Sequence, residues 1–120
     1  MNWLSQLPHR IPFRAASTGR IIDERTIEGT FVCTANDPTT PEIMLTEAMA
    51  QLAGALVFRE GHGLLTGIDD CVIERAVEPG DVVALSVTLE AEFGGTCRFR
   101  GTGSIGGLQC ARGRFYLAKA

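Results

Sequence analysis

"NDPTTPEIMLTEAMAQLAGALVF", residues 36–58, decides the fold of this 120-residue chain. Thr40 suits an N-cap, Pro41 the first helical position and Glu42 the positive end of the helix dipole. Gly61 and Gly63 are stop signals. From Ile43 to Phe58 the segment is apolar on nearly every face, which predicts a helix buried all round rather than one lying on a surface. One acid, Glu47, interrupts it, with Thr46 and Gln51 as its polar company. Burying an unpaired carboxylate costs on the order of several kcal/mol, so Glu47 calls for a cationic partner or a role in a site.

Outward from the helix the chain reads as strands. "FRAASTGRIID" (13–23) and "TIEGTFVCT" (26–34) are rich in β-branched residues and flank a polar turn at Asp23-Glu24-Arg25, a hairpin signal. "LLTGIDDCVIER" (64–75) and "VVALSVTLEAEF" (82–93) flank the turn Glu78-Pro79-Gly80-Asp81. "TCRFRGTGSI" (96–105) and "LQCARGRFYLA" (108–118) are joined through Gly106-Gly107. Val83, Leu85, Val87, Leu89, Ala91 and Phe93 alternate with small or polar residues, so that strand has one buried and one wet face. A three-residue loop at Gly94-Gly95-Thr96 would set Glu92 opposite Arg98 and Glu90 opposite Arg100. "NWLSQLPHRIPF" (2–13) reads as a short lead-in of about one helical turn, ended by Pro8.

One helix and five or six mostly antiparallel strands leave few architectures. The fold class is α+β, with a curved sheet wrapped around one long central helix, because nothing else in the chain can cover it. A single small sheet seldom hides a helix on every side, so a second subunit is expected to complete the burial. One domain spanning residues 1–120 fits this length.

The chain is 45% hydrophobic and 21% charged, with a net charge of −3 and 14 glycines. That balance suits a globular protein and speaks against a nucleic-acid binder, which carries a basic stripe. Met1 to Pro12 is too polar for a signal peptide, and Glu47 and Gln51 break the longest apolar run short of a membrane span. A cytoplasmic location is expected. Cys33, Cys71, Cys97 and Cys110 have no C-x-x-C pairing or His at ligand spacing, so buried or half-buried thiols are expected, with no metal and no cofactor. Arg98, Arg100, Arg112 and Arg114 on the last strands read either as a solvated face paired with Glu90 and Glu92 or as a dock for an acidic or phosphorylated partner.

"LPHRIPF", "TANDP", "EAMAQLAG", "GIDDCVIERAVEPGD" and the last two strands resemble, in order over almost the whole chain, the β-hydroxyacyl-(acyl-carrier-protein) dehydratases of fatty-acid synthesis. The resemblance implies the hotdog fold, usually paired into dimers with a continuous sheet. It also implies a helix carboxylate that helps expel the β-hydroxyl as water, a role that falls on Glu47, with Gln51 one turn later. The family's other catalytic residue is a His on a loop after the Asn-acid-Pro stretch. Here Asn36-Asp37-Pro38 runs almost directly into the helix, and that loop with its His is missing. Neither His9, in the lead-in, nor His62, after the helix, is a convincing replacement.

The resemblance places Gln51, Glu42, Ile43, Asn36 and Gly54 against the substrate, an acyl thioester of acyl carrier protein or coenzyme A. Pro41-Glu42 stands where the family has Pro-Gly, so the Glu42 side chain intrudes where the thioester would meet the first helical N–H groups. Three functions stay open. The chain is a dehydratase with an atypical proton abstraction, a thioesterase using Glu47 as base or nucleophile, or a non-catalytic acyl-binding subunit of an intact dehydratase. The partners implied are a second copy or a related hotdog protein.

Overall fold

A computed structural model describes residue 16 and residues 18–34, 41–57 and 63–119, the side chains of residues 41, 42, 63, 64 and 119 excepted. The lead-in, Thr40, Asn36, His9 and His62 lie outside the described residues, as does the side chain of Glu42. Strands β1 (Thr18–Ile21) and β2 (Thr26–Val32) precede helix α1 (Pro41–Val57). Strands β3 (Gly63–Ile73), β4 (Val82–Phe93), β5 (Thr96–Ile105) and β6 (Leu108–Lys119) follow it. They form one six-stranded sheet in the order β1-β2-β4-β5-β6-β3, with every neighbouring pair antiparallel. This is the expected α+β architecture, with β1 and β3 as the sheet's two edges.

Period-two alternation builds the inner face. Val83, Leu85, Val87 and Leu89 of β4 and Phe99 of β5 are buried, as are Phe115 and Leu117 of β6. The rings of Phe99 and Phe115 stack at 5.6 Å. Against this layer α1 lays Leu45, Ala48, Met49, Leu52, Ala53 and Leu56. Two glycines let the helix come close. A Cβ on Gly29 would stand 2.8 Å from the Leu52 side chain, and one on Gly101 would stand 2.6 Å from Met49 Sδ. Neither position has room for a larger residue.

The helix is not buried all round. Ile43 is 59% exposed, and Thr46, Glu47, Ala50, Gly54 and Val57 are half-buried. Ile43, Glu47, Ala50, Gly54 and Val57 follow the spacing i, i+4, i+7, i+11, i+14, which is one stripe of a helix. The fully buried residues of α1 lie on the other side, against the sheet, so the apolar composition of both sides overstated the burial.

The β4–β5 hairpin also differs from expectation. Phe93 pairs with Thr96, leaving a two-residue turn at Gly94-Gly95 with Gly94 at φ +63°. Ala91 then opposes Arg98, Glu92 opposes Cys97 and Thr88 opposes Arg100, because a bulge falls between Leu89 and Ala91. The extra residue, Glu90, breaks the alternation, so Ala91 is half-buried and Phe93 is 51% exposed. Arg25 supports the bulge by donating Nε to the Leu89 carbonyl at 3.1 Å and an Nη to the Glu90 carbonyl at 3.1 Å.

The turn Glu78-Pro79-Gly80-Asp81 has Pro second and Gly80 third at φ +96°, the pattern of a type II turn. Gly80 N–H donates to the Cys33 carbonyl and Cys33 N–H to the Asp81 carbonyl, both at 2.9 Å. The turn thereby holds the chain at the exit of β2, just ahead of the segment leading to α1.

Candidate active site on helix α1

Glu47 sits in the second turn of α1 on the uncovered stripe, half-buried and flanked along the helix by Ile43 and Gly54. Among the described residues a Cβ on Gly54 would meet nothing within 4 Å. Of the residues singled out in the sequence, Ile43, Glu47 and Gly54 share this face. A carboxylate on a half-open, largely apolar surface is within reach of solvent and of a bound molecule alike. It is also close enough to apolar atoms to meet an acyl chain.

Gln51, one turn further along, has its amide oxygen committed to the backbone. It is 3% exposed, the only buried polar residue among those described, and its Oε1 accepts the Ala16 N–H at 3.0 Å. The bond ties the chain ahead of β1 to the helix and satisfies a buried backbone donor. Gln51 thus anchors the start of the sheet to the third turn of the helix, beneath Glu47.

Cys71 reaches this face without any signal in the sequence pattern. In β3 the pairing with β6 jumps between Asp69↔Arg114 and Val72↔Arg112, and Asp70 takes φ +50° at the jump. The distortion brings Cys71 Sγ to 3.4 Å from Thr46 Oγ1, one residue from Glu47. Cys71 is exposed, against the expectation of buried or half-buried thiols, whereas Cys33, Cys97 and Cys110 are buried. No periodicity reveals such a jump, because the bulge resets which residues face the helix.

Burial raises the Cys97 thiol pKa, and the Glu92 carboxylate adds to the rise. Burial likewise raises that of Cys110, against the lowering pull of its own backbone hydrogen bond and of Arg75. Both thiols stay protonated near neutrality and belong to the core rather than to nucleophilic chemistry. Among the described residues no group of three or more His, Cys, Asp and Glu side chains could hold a metal ion. No helix among them is long and apolar enough to cross a membrane.

No protein-family model matches the chain. A 3-hydroxyacyl-(acyl-carrier-protein) dehydratase FabZ of Verminephrobacter eiseniae is 32% identical over 122 aligned residues, covering 86% of this chain and 81% of that protein. Among solved structures, the dehydratase heterocomplex ApeI:P from Xenorhabdus doucetiae superposes with a TM-score of 0.83 at 18% identity, over 98% of this chain and 90% of that one. A hypothetical thioesterase protein with coenzyme A from Streptococcus pneumoniae superposes with a TM-score of 0.70 at 14% identity, over 88% of each chain. At those identities the structural likenesses establish the hotdog fold alone.

Proposed function

The chain belongs to the 3-hydroxyacyl-(acyl-carrier-protein) dehydratase family, and from that membership we propose that it receives a β-hydroxyacyl thioester along the uncovered stripe of α1, with Glu47 as the reacting carboxylate. The observation that carries this reading is the placement of Glu47 on the open side of an otherwise apolar helix. In the elimination the C2–H bond breaks and its electrons form the C2=C3 bond. The C3–O bond breaks as Glu47 gives its proton to the departing hydroxyl, which leaves as water. Ile43 and Gly54 line the acyl chain on either side, and Gln51 holds the helix in register with the sheet. The thioester end lies at the start of α1, where the helix's first N–H groups meet a carbonyl that gains negative charge.

The proton taken from C2 needs a base, and the sequence lacks the family's His-bearing loop after Asn36-Asp37-Pro38. We infer that a second subunit covers the stripe and adjoins the β3 edge, as a homodimer or with a related hotdog protein that supplies the base. The known heterocomplex of a fold neighbour supports the second arrangement. The carrier is acyl carrier protein or coenzyme A, and one hotdog unit makes up the chain.

Purified chain, alone and mixed with a related dehydratase that retains its His loop, would be given a β-hydroxyacyl thioester. Conjugated enoyl product and released thiol would be followed together. Enoyl formation that falls at least about 100-fold in Glu47→Gln, with an unchanged melting temperature, is the expected result. Thiol release lost with Glu47 selects hydrolysis instead, the reading that the hypothetical thioesterase of the same fold supports. Activity indifferent to Glu47 in every mixture rejects the assignment.

A further inference from the structure

The opposite face of the sheet carries a second constellation. Outward-facing Ser86 and Thr88 of β4, Arg100 and Thr102 of β5, and Gln109 and Arg112 of β6 line a groove of about 290 Å³. Ser86 opposes Thr102, which opposes Arg112, and the neighbouring row runs Thr88, Arg100, Arg114. Among the described residues no carboxylate is part of the lining; the nearest in the register are Glu28, across from Ser86, and Glu74, at the rim. The inward residues of the same strands, Val87 and Phe99 among them, are buried under α1, so the sheet separates this groove from Glu47.

Charge bookkeeping in this patch does not balance. Arg114 pairs with Glu90 at 2.9 Å, Arg98 reaches the same carboxylate at 3.6 Å, and Arg112 lies 4.0 Å from Glu74. Glu74, at the rim, also accepts the Gln109 amide at 2.7 Å. Arg100 has no ion pair or hydrogen bond among the described residues, although it stands directly across from Arg114. Like charges directly opposed on neighbouring strands repel, and here they do so in a chain whose net charge is −3. Two guanidinium groups, Arg100 without an ion pair among the described residues and Arg112 only 4.0 Å from Glu74 at the rim, stand beside three hydroxyls and offer donors in excess. That is the chemistry of an oxyanion site, for which the planar forks of Arg are suited to bidentate phosphate contacts.

We propose that the outer groove between β4, β5 and β6 binds a small phosphate-bearing molecule, held by Arg100 and Arg112 over the hydroxyls of Ser86, Thr88 and Thr102. The site is independent of the chemistry at Glu47. Its ligand is either the free ion or the phosphoryl group of a small monoester.

The test uses the intact chain at low ionic strength, titrated with inorganic phosphate and with glycerol 3-phosphate. Calorimetry and the NMR signals of the Arg Nε–H groups report binding. Saturable binding with a Kd of about 1 mM or tighter is expected, together with shifts at Arg100 and Arg112. Arg100→Gln weakens it by roughly tenfold or more, and Arg20→Gln on β1 leaves it unchanged. For the monoester, affinity rises as pH passes about 6, where the phosphate gains its second charge while the guanidinium groups stay protonated. Tighter binding of the monoester assigns the site to a metabolite, and equal binding assigns it to the free ion. If Arg100→Gln fails to fold, the wild-type Nε–H shifts still decide. A non-saturating response, or shifts spread over all arginines alike, overturns the proposal.

Discussion

The two sides of helix α1 are built from similar residues and do different work. The covered side inserts Leu45, Met49, Leu52 and Leu56 among the inward residues of the sheet, close enough that Gly29 and Gly101 must lack side chains. The other side presents Ile43, Ala50, Gly54 and Val57, equally apolar, with Glu47 in their midst and incomplete cover. Composition alone does not distinguish them; what packs against each side does. On the function proposed above, this apolar and only partly covered side is the one that receives substrate and a second subunit, and it is the side that carries the acid.

The largest stability effect should come from the covered side. Leu52→Ala removes a fully buried side chain and should cost about 3 kcal/mol in denaturant unfolding, against less than about 1 kcal/mol for Ile43→Ala at subunit concentrations where assembly is saturated. Equal losses would break the distinction between the two sides. Next comes Gly101→Ala, which drives a methyl into Met49 and should destabilise by about 1–3 kcal/mol. Combining it with Met49→Ala should recover part of that loss, and strict additivity would show that the two residues do not meet.

Thiols sharpen the comparison in a third way. Cys71, beside Thr46, should react first with a maleimide, and Cys33, Cys97 and Cys110 only on unfolding. The raised folded-state pKa values of Cys97 and Cys110 mean that the native chain holds those protons more tightly than the unfolded chain. Stability is therefore full below the ordinary thiol range and is lost as pH climbs through the raised values. Urea midpoints measured from about pH 8 upward should fall, and less steeply in Cys110→Ala. A flat profile contradicts the burial of these thiols. The smallest effect belongs to the solvent-facing network. Glu90→Gln removes the carboxylate shared by Arg98 and Arg114 and should cost less than about 1 kcal/mol, with added salt shrinking the difference.

Much of this was legible in the sequence, for identifiable reasons. Strands β4 and β5 begin and end where alternation and turn residues place them, since a half-buried strand must alternate. Pro41 opens the helix as its fixed φ suggests. The register around Glu90 was not legible, because a bulge inserts one residue without altering the local pattern, and its support comes from Arg25, 65 residues earlier. Gln51 was legible as a polar residue near Glu47, but not as the acceptor for Ala16, a contact 35 residues apart in the chain. Cys71 entered the site through a left-handed residue, Asp70, that nothing in "GIDDCVIER" announces. Long-range contacts and backbone irregularities are the parts that local propensity does not encode.

The claim beneath these comparisons is that the Glu47 stripe is finished by another protein subunit. Light scattering of the purified chain measures this directly, alone and with a related hotdog protein, beside an Ala50→Arg variant that places a charge on the stripe. Expected are a wild-type particle of at least twice the 12.9 kDa chain in one of those conditions, and a reversion to the single chain in Ala50→Arg with its fold retained. A wild-type chain that stays single in both conditions, or an Ala50→Arg variant that assembles as well as wild type, would contradict it.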